Sequence, residues 1–551
     1  MTSTAHTPPQ RSAPHPGAHR AGARAARALL GALAVVVVAV PFQAAWSYDA
    51  HRRAVTAQQV PPGPSDAAMA TPRAGAPTET RTVAHHAPVV LAYHDVGRGS
   101  RSRYTVTPQA FEDQLATLAR AGYRSLDSAE FLDFLRSGST PAPRTVFLTF
   151  DDGAHGLWVH ADRILAKYRM KAAAFLITGH VSRHRPYYLS WEEIARMEAS
   201  GRWDFENHTH DLHHRAAVDR SGRRAPALSN PLWLPHESRA ETPAEFRARV
   251  SGDLDLSLRT FARHGLPRPH LFAYPFSEAS DAAARPGAPG ADGTAQSVDG
   301  LLTDLLRTRF RVRLTNSSER PLPAGRRAAT AGQVQRLEVT RATSTADLLA
   351  GLARFTTSAP SASPHPLEQP SLWRRTDRGG HTGLGALTGR GPYPGRTGYA
   401  SAAHMPLASA DWTGYTVTTT VDRLSESRNN IGLVVRDHSR EPVSVALSDS
   451  FVRVLVGIGD GRREIARRAL VSGPCHRLSV TVEADRTVVL VDGTVRIERR
   501  SPRSATAGNA TGGIAFSTRN GDPASSYPRF TSMTVTPLPG HPGTPRADAA
   551  R

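Results

Sequence analysis

Two adjacent carboxylates and a knot of histidines are the residues of this chain best suited to do chemistry. Asp151 and Asp152 follow an apolar run, Val146-Phe147-Leu148-Thr149-Phe150, and precede Gly153. Neighbouring carboxylates resist joint ionisation unless a cation or a proton is shared between them. Gly153 permits a sharp turn that lets both leave a strand end toward one site. A bare Asp-Asp-Gly also fits a solvated turn in which Asp152 caps a helix. The histidines lie in Asn207-His208-Thr209-His210-Asp211-Leu212-His213-His214. Two imidazoles and a carboxylate, with positions left for water, make a catalytic rather than a structural metal site. His208 and His213 are five residues apart, off a common helical face, and need a turn to converge. His210 and His214 have helical spacing and compete with them.

These groups need elements to position them. Residues 88–96 read as a strand that ends in His94 and Asp95. Thr107-Pro108 opens a helix that Gly122 stops, and 128–135 read as a second. The acidic strand is followed by a helix over 155–168, a strand over 172–177, a helix over 190–198 and a strand over 203–206. The polar, Pro-rich stretch 221–241 reads as a long loop over the site. A helix over 242–264 leads to a strand end at Ala273-Tyr274-Pro275-Phe276, and further helices and strands run to 355. Such alternation predicts a parallel sheet with crossovers, as an open sheet or a barrel. Residues 358–370 are Pro-rich and read as a linker across which few contacts need run. Beyond them, short alternating strands with Gly, Asn and Asp turns predict an all-β sandwich or jelly roll over 371–538.

The ends of the chain carry address information. Residues 1–27 are polar and basic without an acid, and 28–46 are almost wholly apolar. That length spans a bilayer as a helix, with the basic side in the cytoplasm. It reads as an uncleaved anchor, or as a secretion signal if it is removed. A flexible stalk follows over 47–87, and 539–551 read as a disordered tail. The formal charge is +20, nearly all of it arginine scattered along the chain rather than gathered into a nucleic-acid-binding stripe. Cys475 is the single cysteine, so an intrachain disulfide and a cysteine zinc site are both excluded.

Thr149-Phe150-Asp151-Asp152-Gly153 together with Asn207-His208-Thr209 resembles the NodB-homology polysaccharide deacetylases, carbohydrate esterase family four. The usual fifth position of the His-Ser/Thr-x-x-His pattern is Leu212 here. The longer spacing to His213, with Tyr93-His94-Asp95-Val96 and Ala273-Tyr274-Pro275-Phe276, is similar to the subgroup that deacetylates poly-β-1,6-N-acetylglucosamine; Ser277 stands where a glycine is usual. The resemblance implies a distorted (β/α)7 barrel over 88–357. It implies Asp152, His208 and His213 as ligands of a divalent metal, zinc by preference; the spacing of His210 and His214 still leaves either as a substitute for His213. It implies Asp151 as general base, His94 as general acid, and Tyr274, Pro275 and Phe276 as the substrate-binding segment, with a backbone N–H for the oxyanion. The chemistry agrees, because an N-acetyl amide is a poor electrophile and needs its carbonyl polarised. The expected partners are an N-acetylated polysaccharide and the membrane, not nucleic acid, with the barrel outside the cell. Peptidoglycan, chitin oligomers and acetylated xylan are rival substrates, and a silent glycan-binding protein is the rival class. Cys475-His476-Arg477-Leu478 and Val491-Asp492-Gly493 are similar to segments of concanavalin A-like sandwiches, which implies glycan binding or a purely structural domain.

Overall fold

The computed structural model describes residues 87–278, 298–358 and 370–539, apart from 319, 377–397, 426–428, 440, 501–510, 523 and 525, together with Gln43, Trp46 and Pro360. The expected basic tail, anchor, stalk and C-terminal tail therefore lie almost entirely outside the described residues. Among those residues no helix is long and apolar enough to cross a membrane.

The first half is built on β1 (Val89–Tyr93), β2 (Thr145–Phe150), β3 (Ala172–Leu176), β4 (Trp203–Asn207), β5 (Leu271–Ala273), β6 (Val312–Thr315), β7 (Gln333–Gln335) and β8 (Leu337–Glu338). Their order is β7-β6-β5-β4-β3-β2-β1-β8, and neighbouring pairs are parallel. Arg336 alone separates β7 from β8. The two act as one broken strand that pairs with β6 through its first half and with β1 through its second, which closes a seven-stranded, distorted barrel.

β1, β2, β3 and β5 read as near-continuous apolar runs because both faces are covered. Alternate residues sort accordingly. Val90, Phe147, Ala173, Phe175, Leu271 and Leu314 share one buried cluster. Leu91, Leu148, Phe150, Ala174 and Leu176 belong to another, with Phe111, Leu115 and Leu118 of helix α1 (Pro108–Arg120). The other helices are α2 (Ser128–Ser137), α3 (Asp162–Lys167), α4 (Trp191–Ala199), α5 (Pro243–Arg263), α6 (Val298–Arg307), α7 (Arg326–Ala331) and α8 (Thr345–Phe355). Capping boxes start four of them: Asp127 with Glu130, Ser190 with Glu193, Thr242 with Glu245 and Ser344 with Asp347. The stretch expected as a loop folds into small hairpins, Arg215–Ala217 on Arg224–Pro226 and Trp233–Leu234 on Arg239–Ala240.

The second half is antiparallel throughout. Strands β9 (Trp373–Arg375), β10 (Gly398–His404), β11 (Tyr415–Asp422), β12 (Asn430–Val435), β13 (Val443–Leu447), β14 (Phe451–Val456), β15 (Arg463–Ala469), β16 (His476–Val482), β17 (Arg486–Val491), β18 (Val495–Arg500), β19 (Ile514–Asn520) and β20 (Arg529–Pro537) make two sheets. One has the order β9-β10-β19-β12-β13-β14-β15, the other β18-β17-β16-β11-β20. Val417, Val480 and Val535 from one sheet share a core with Leu433, Val445 and Phe516 from the other, so the sheets pack face to face.

Contacts do cross between the halves, against the expectation drawn from the linker. Arg327 of α7 is 5 % exposed and donates through Nη2 to the Thr511 carbonyl at 2.6 Å and through Nη1 to the His438 carbonyl at 3.3 Å. Asp411 of the sandwich accepts from the Arg326 and Arg327 amides and so caps α7 of the barrel. A Cβ on Gly325 would lie 2.0 Å from the Asp411 carboxylate, so this approach requires glycine.

Candidate metal centre and active site

Three parallel strands, β2, β4 and β5, each run into a non-glycine residue in the left-handed region: Asp152 (φ 72°), Thr209 (φ 75°) and Phe276 (φ 58°). Such residues cost about 1–3 kcal/mol each and persist where the surroundings over-determine them. The turns aim the motif side chains into one place at the carboxyl ends of the strands, where barrel enzymes hold their chemistry. Gly153 follows Asp152 with φ 75°, and a Cβ there would strike Leu176 Cδ2 at 2.8 Å.

The structure brings Asp152, His208 and His213 together. Asp152 Oδ1 lies 3.5 Å from His208 Nε2 and 3.3 Å from His213 Nε2, and the three ligand atoms fall within 4.8 Å of one another. Two bonds of about 2.0–2.1 Å across a tetrahedral angle place their donor atoms about 3.3–3.4 Å apart, so the spacing fits a zinc-sized ion. Asp152 Oδ1 is also buried and accepts no hydrogen bond. His208 is 2 % exposed, and its Nδ1 donates to the Ala273 carbonyl at 2.8 Å, which turns the Nε2 lone pair toward Asp152. Burial, reinforced by the charge of His208, pulls His213 down to about 4, which keeps that imidazole neutral, as a ligand must be. Burial also acts against charging His208, but Asp152 and Asp151 outweigh it and raise that group.

The competing histidines are committed elsewhere. His210 Nδ1 meets Thr178 Oγ1 at 2.9 Å, and His214 Nδ1 meets the Asp211 carbonyl at 2.8 Å. The loop is held by α5: Asp253 accepts from the His210 and Asp211 amides at 2.9 and 2.8 Å, and Asn207 Nδ2 donates to Ser257 Oγ at 2.8 Å. Asn207 Oδ1 accepts from the Thr209 amide, which sets the left-handed turn. Leu212 enters the core beside Phe246 and Tyr274.

Asp151 stays off this cluster. It is 3 % exposed, and Arg336, fully buried, grips it with Nη1–Oδ1 at 2.7 Å and Nη2–Oδ2 at 2.6 Å. Arg336 is held in turn by Thr149 Oγ1 at 3.1 Å and Asn316 Oδ1 at 2.8 Å. Burial pushes the Asp151 carboxyl up. The Arg336 charge and hydrogen bonds outweigh burial, His208 and His94 add to them, and the group is held below the ordinary carboxylate range.

His94 leans on Tyr104, ring centroids 4.5 Å apart, and its Nδ1 is buried with no hydrogen-bond partner. Asp95 does not orient it; that carboxylate accepts from Thr105 Oγ1 instead. In the third segment Tyr274 and Pro275 are buried, and Phe276, 43 % exposed, lies 4.7 Å from the His213 ring with the Arg215 guanidinium 4.8 Å above it. The Tyr274 amide donates to the Leu314 carbonyl at 3.0 Å, so it is not a spare oxyanion donor. His180, His184 and Tyr188 form an aromatic wall, with the His180 ring 4.9 and 4.8 Å from the other two. Tyr188 is raised first by burial and then by the charge of Asp152.

Arg336, Asp253, Ser257 and Tyr188 are not marked by any motif in the sequence. Arg336 lies in the polar stretch Gln333-Val334-Gln335-Arg336-Leu337-Glu338, which gives no local signal of a buried role.

Residues 138–287 match the polysaccharide deacetylase family. The chain is similar to the poly-beta-1,6-N-acetyl-D-glucosamine N-deacetylase of Staphylococcus aureus strain MSSA476, 36 % identical over 121 residues, which is 21 % of this chain and 41 % of that protein. The corresponding protein of Staphylococcus epidermidis RP62A is 37 % identical over 113 residues, 20 % of this chain and 39 % of its own length. The matches thus span about two fifths of these curated relatives. The structure of IcaB from Ammonifex degensii covers 48 % of this chain and 97 % of its own at 25 % identity, with a TM-score of 0.36. The chain carries a polysaccharide deacetylase domain of the NodB-homology type.

Proposed function

We propose that the barrel is a metal-dependent polysaccharide N-deacetylase that hydrolyses N-acetyl groups of a poly-N-acetylglucosamine polymer and releases acetate. The observation that supports it most is the pairing of an open Asp152–His208–His213 cluster with a separate carboxylate, Asp151, kept ionised by Arg336. A divalent ion bound there, zinc by donor chemistry, supplies Lewis acidity to an acetyl carbonyl and to water. Asp151 accepts the proton of the attacking water. His94 gives a proton to the departing amine. Phe276 and Tyr188 present aromatic surface to the sugar rings. The curated relatives are named for the β-1,6-linked polymer, which makes that linkage the first substrate to try.

We assign residues 28–46 to a membrane anchor with the barrel on the outer side, and the sandwich to the concanavalin A-like class. Fractionation with protease protection tests the anchor. Acetate release measured across β-1,6-linked N-acetylglucosamine oligomers, chitin oligomers, peptidoglycan and acetylated xylan, with and without chelator, tests the activity. Release from none of them, or release that chelator and added zinc do not change, contradicts the proposal.

A further inference from the structure

The outer face of the seven-stranded sheet carries a trough of ≈ 840 Å³. Ligand clefts have volumes of about 300–1,000 Å³. Its shape follows from register. Arg453 pairs with Ala446, Ala446 with Gly432 and Gly432 with Ser517, so one cross-strand row runs from a long cation into three small residues. A Cβ on Gly432 would meet Ser517 Oγ at 2.6 Å, so the floor there has no room for a side chain. The neighbouring row places Tyr399, Arg519 and Asn430 opposite one another. Arg462 completes the rim.

The charge of this trough is one-sided. Arg453, Arg462 and Arg519 line it, and no lining residue is acidic. Arg453 has a distant partner, Glu464 at 3.7 Å, and its Nε is buried without a hydrogen bond. The Arg462 and Arg519 guanidinium groups are exposed and pair with no carboxylate among the described residues. Unpaired like charges held around one concavity repel one another and focus an anion into it. Guanidinium groups match carboxylate and phosphate geometry. Tyr399 is 54 % exposed at the rim, and Asn430, Ser444 and Ser517 offer hydroxyl-binding groups along the floor.

We propose that this trough binds an acidic glycan, a saccharide or polyol chain bearing carboxylate or phosphate groups. The inference is independent of the activity proposed for the barrel. It also has a consequence for polymers that have lost acetyl groups: each exposed amine adds a positive charge, so the trough rejects deacetylated chains.

The test is binding of the full chain to polygalacturonate oligomers, to poly(glycerol phosphate), to neutral chitin oligomers, to chitosan and to single-stranded DNA, at low and high salt. Wild type is expected to bind polygalacturonate or poly(glycerol phosphate), and which of the two is tighter identifies carboxylate or phosphate as the anion. Arg462→Ala and Arg519→Ala are each expected to weaken that binding at least five-fold, the pair to remove it, and added salt to weaken it. Ala446→Trp, which fills the floor, is expected to abolish it. All four are expected to keep wild-type melting temperature and the same acetate release from short soluble substrate. Absence of binding to both acidic polymers, unchanged affinity in the double variant, or DNA or chitosan bound as tightly as the acidic glycan would each overturn the proposal.

Discussion

The barrel and the sandwich each bury a histidine whose Nδ1 is anchored, and the two differ in what the second nitrogen faces. His476 in the sandwich meets Asp492 Oδ2 at 2.6 Å through Nδ1 and the Asp449 carbonyl at 2.9 Å through Nε2. Both nitrogens are used, and the side chain ties a strand to two turns. His208 in the barrel spends Nδ1 on the Ala273 carbonyl and points Nε2 at a carboxylate oxygen without a hydrogen bond. The first arrangement spends both nitrogens; the second keeps a nitrogen lone pair and a buried carboxylate oxygen for a ligand's partner, as a metal site does. The backbone differs in the same sense. Left-handed Asp492 (φ 50°) and Gly493 (φ 72°) turn a hairpin, whereas left-handed Asp152, Thr209 and Phe276 aim side chains at a common point. A buried polar residue is thus read from its unspent hydrogen-bonding capacity rather than from its burial.

The largest effect that sharpens this contrast is on metal content. Asp152→Ala, His208→Ala and His213→Ala are each expected to lose bound metal and to drop acetate release to background. His210→Ala and His214→Ala are expected to keep both, since those rings are bonded to Thr178 and to the Asp211 carbonyl. Metal analysis of the five proteins decides it, and loss from His210→Ala with retention in His213→Ala would break the register.

Arg336→Met comes next. It leaves Asp151 buried without its cation, which costs about 3–5 kcal/mol of stability by urea unfolding. Asp151 is depressed in the folded chain, so its contribution is present above the unfolded carboxylate value and is lost as pH falls through the folded one. Removing Arg336 raises that folded value, so the acid limb of the pH–rate profile is expected to move to higher pH. An unmoved limb would show that Arg336 does not set the charge of Asp151.

His476→Ala is expected to cost about 1–3 kcal/mol through the lost bonds to Asp492 and to the Asp449 carbonyl, with metal content and turnover on short oligomers unchanged. Asp411→Ala removes the cap that the sandwich lends to α7, at about 1 kcal/mol. A chain truncated after 358 is expected to melt lower than the full chain, because Arg327 loses its Thr511 and His438 carbonyl partners. Equal melting temperatures would make the crossing contacts inconsequential.

A further effect, seen only as a dependence on pH, concerns Glu206. Burial pushes it up to about 8, although the His270 and Leu271 amides both donate to it at 2.8 Å. The folded chain holds this proton where the unfolded chain has released it. Stability from this group is therefore full at acid pH and falls between the ordinary glutamate range and about pH 8. Glu206→Gln is expected to flatten that fall in chemical unfolding followed from pH 5 to 9, and an unchanged slope would contradict it.

Local pattern made much of this legible. The apolar run of β2, the acidic pair and the histidine segment lie within single turns of chain, and the barrel and sandwich textures follow from continuous and alternating apolar runs. Three sandwich strands were not legible. Gly398–His404 is rich in alanine and lacks β-branched residues, Arg463–Ala469 is an arginine-rich edge strand, and Trp373–Arg375 has only three residues. Choosing His213 over His210 rested on the family resemblance; spacing alone offered His210 with His214, and that spacing has no force because residues 208–214 form no helix. Arg336 meets Asp151 across 185 residues, a distance at which no periodicity carries information.

The account rests on a division of labour between two adjacent carboxylates, and one paired measurement addresses it: metal content and acetate release in Asp151→Asn and Asp152→Ala. Asp151→Asn is expected to bind one divalent ion per chain, as wild type does, while acetate release falls by about 10²–10⁴-fold. Asp152→Ala is expected to bind none. Normal turnover in Asp151→Asn, or full metal content in Asp152→Ala, would contradict the assignment.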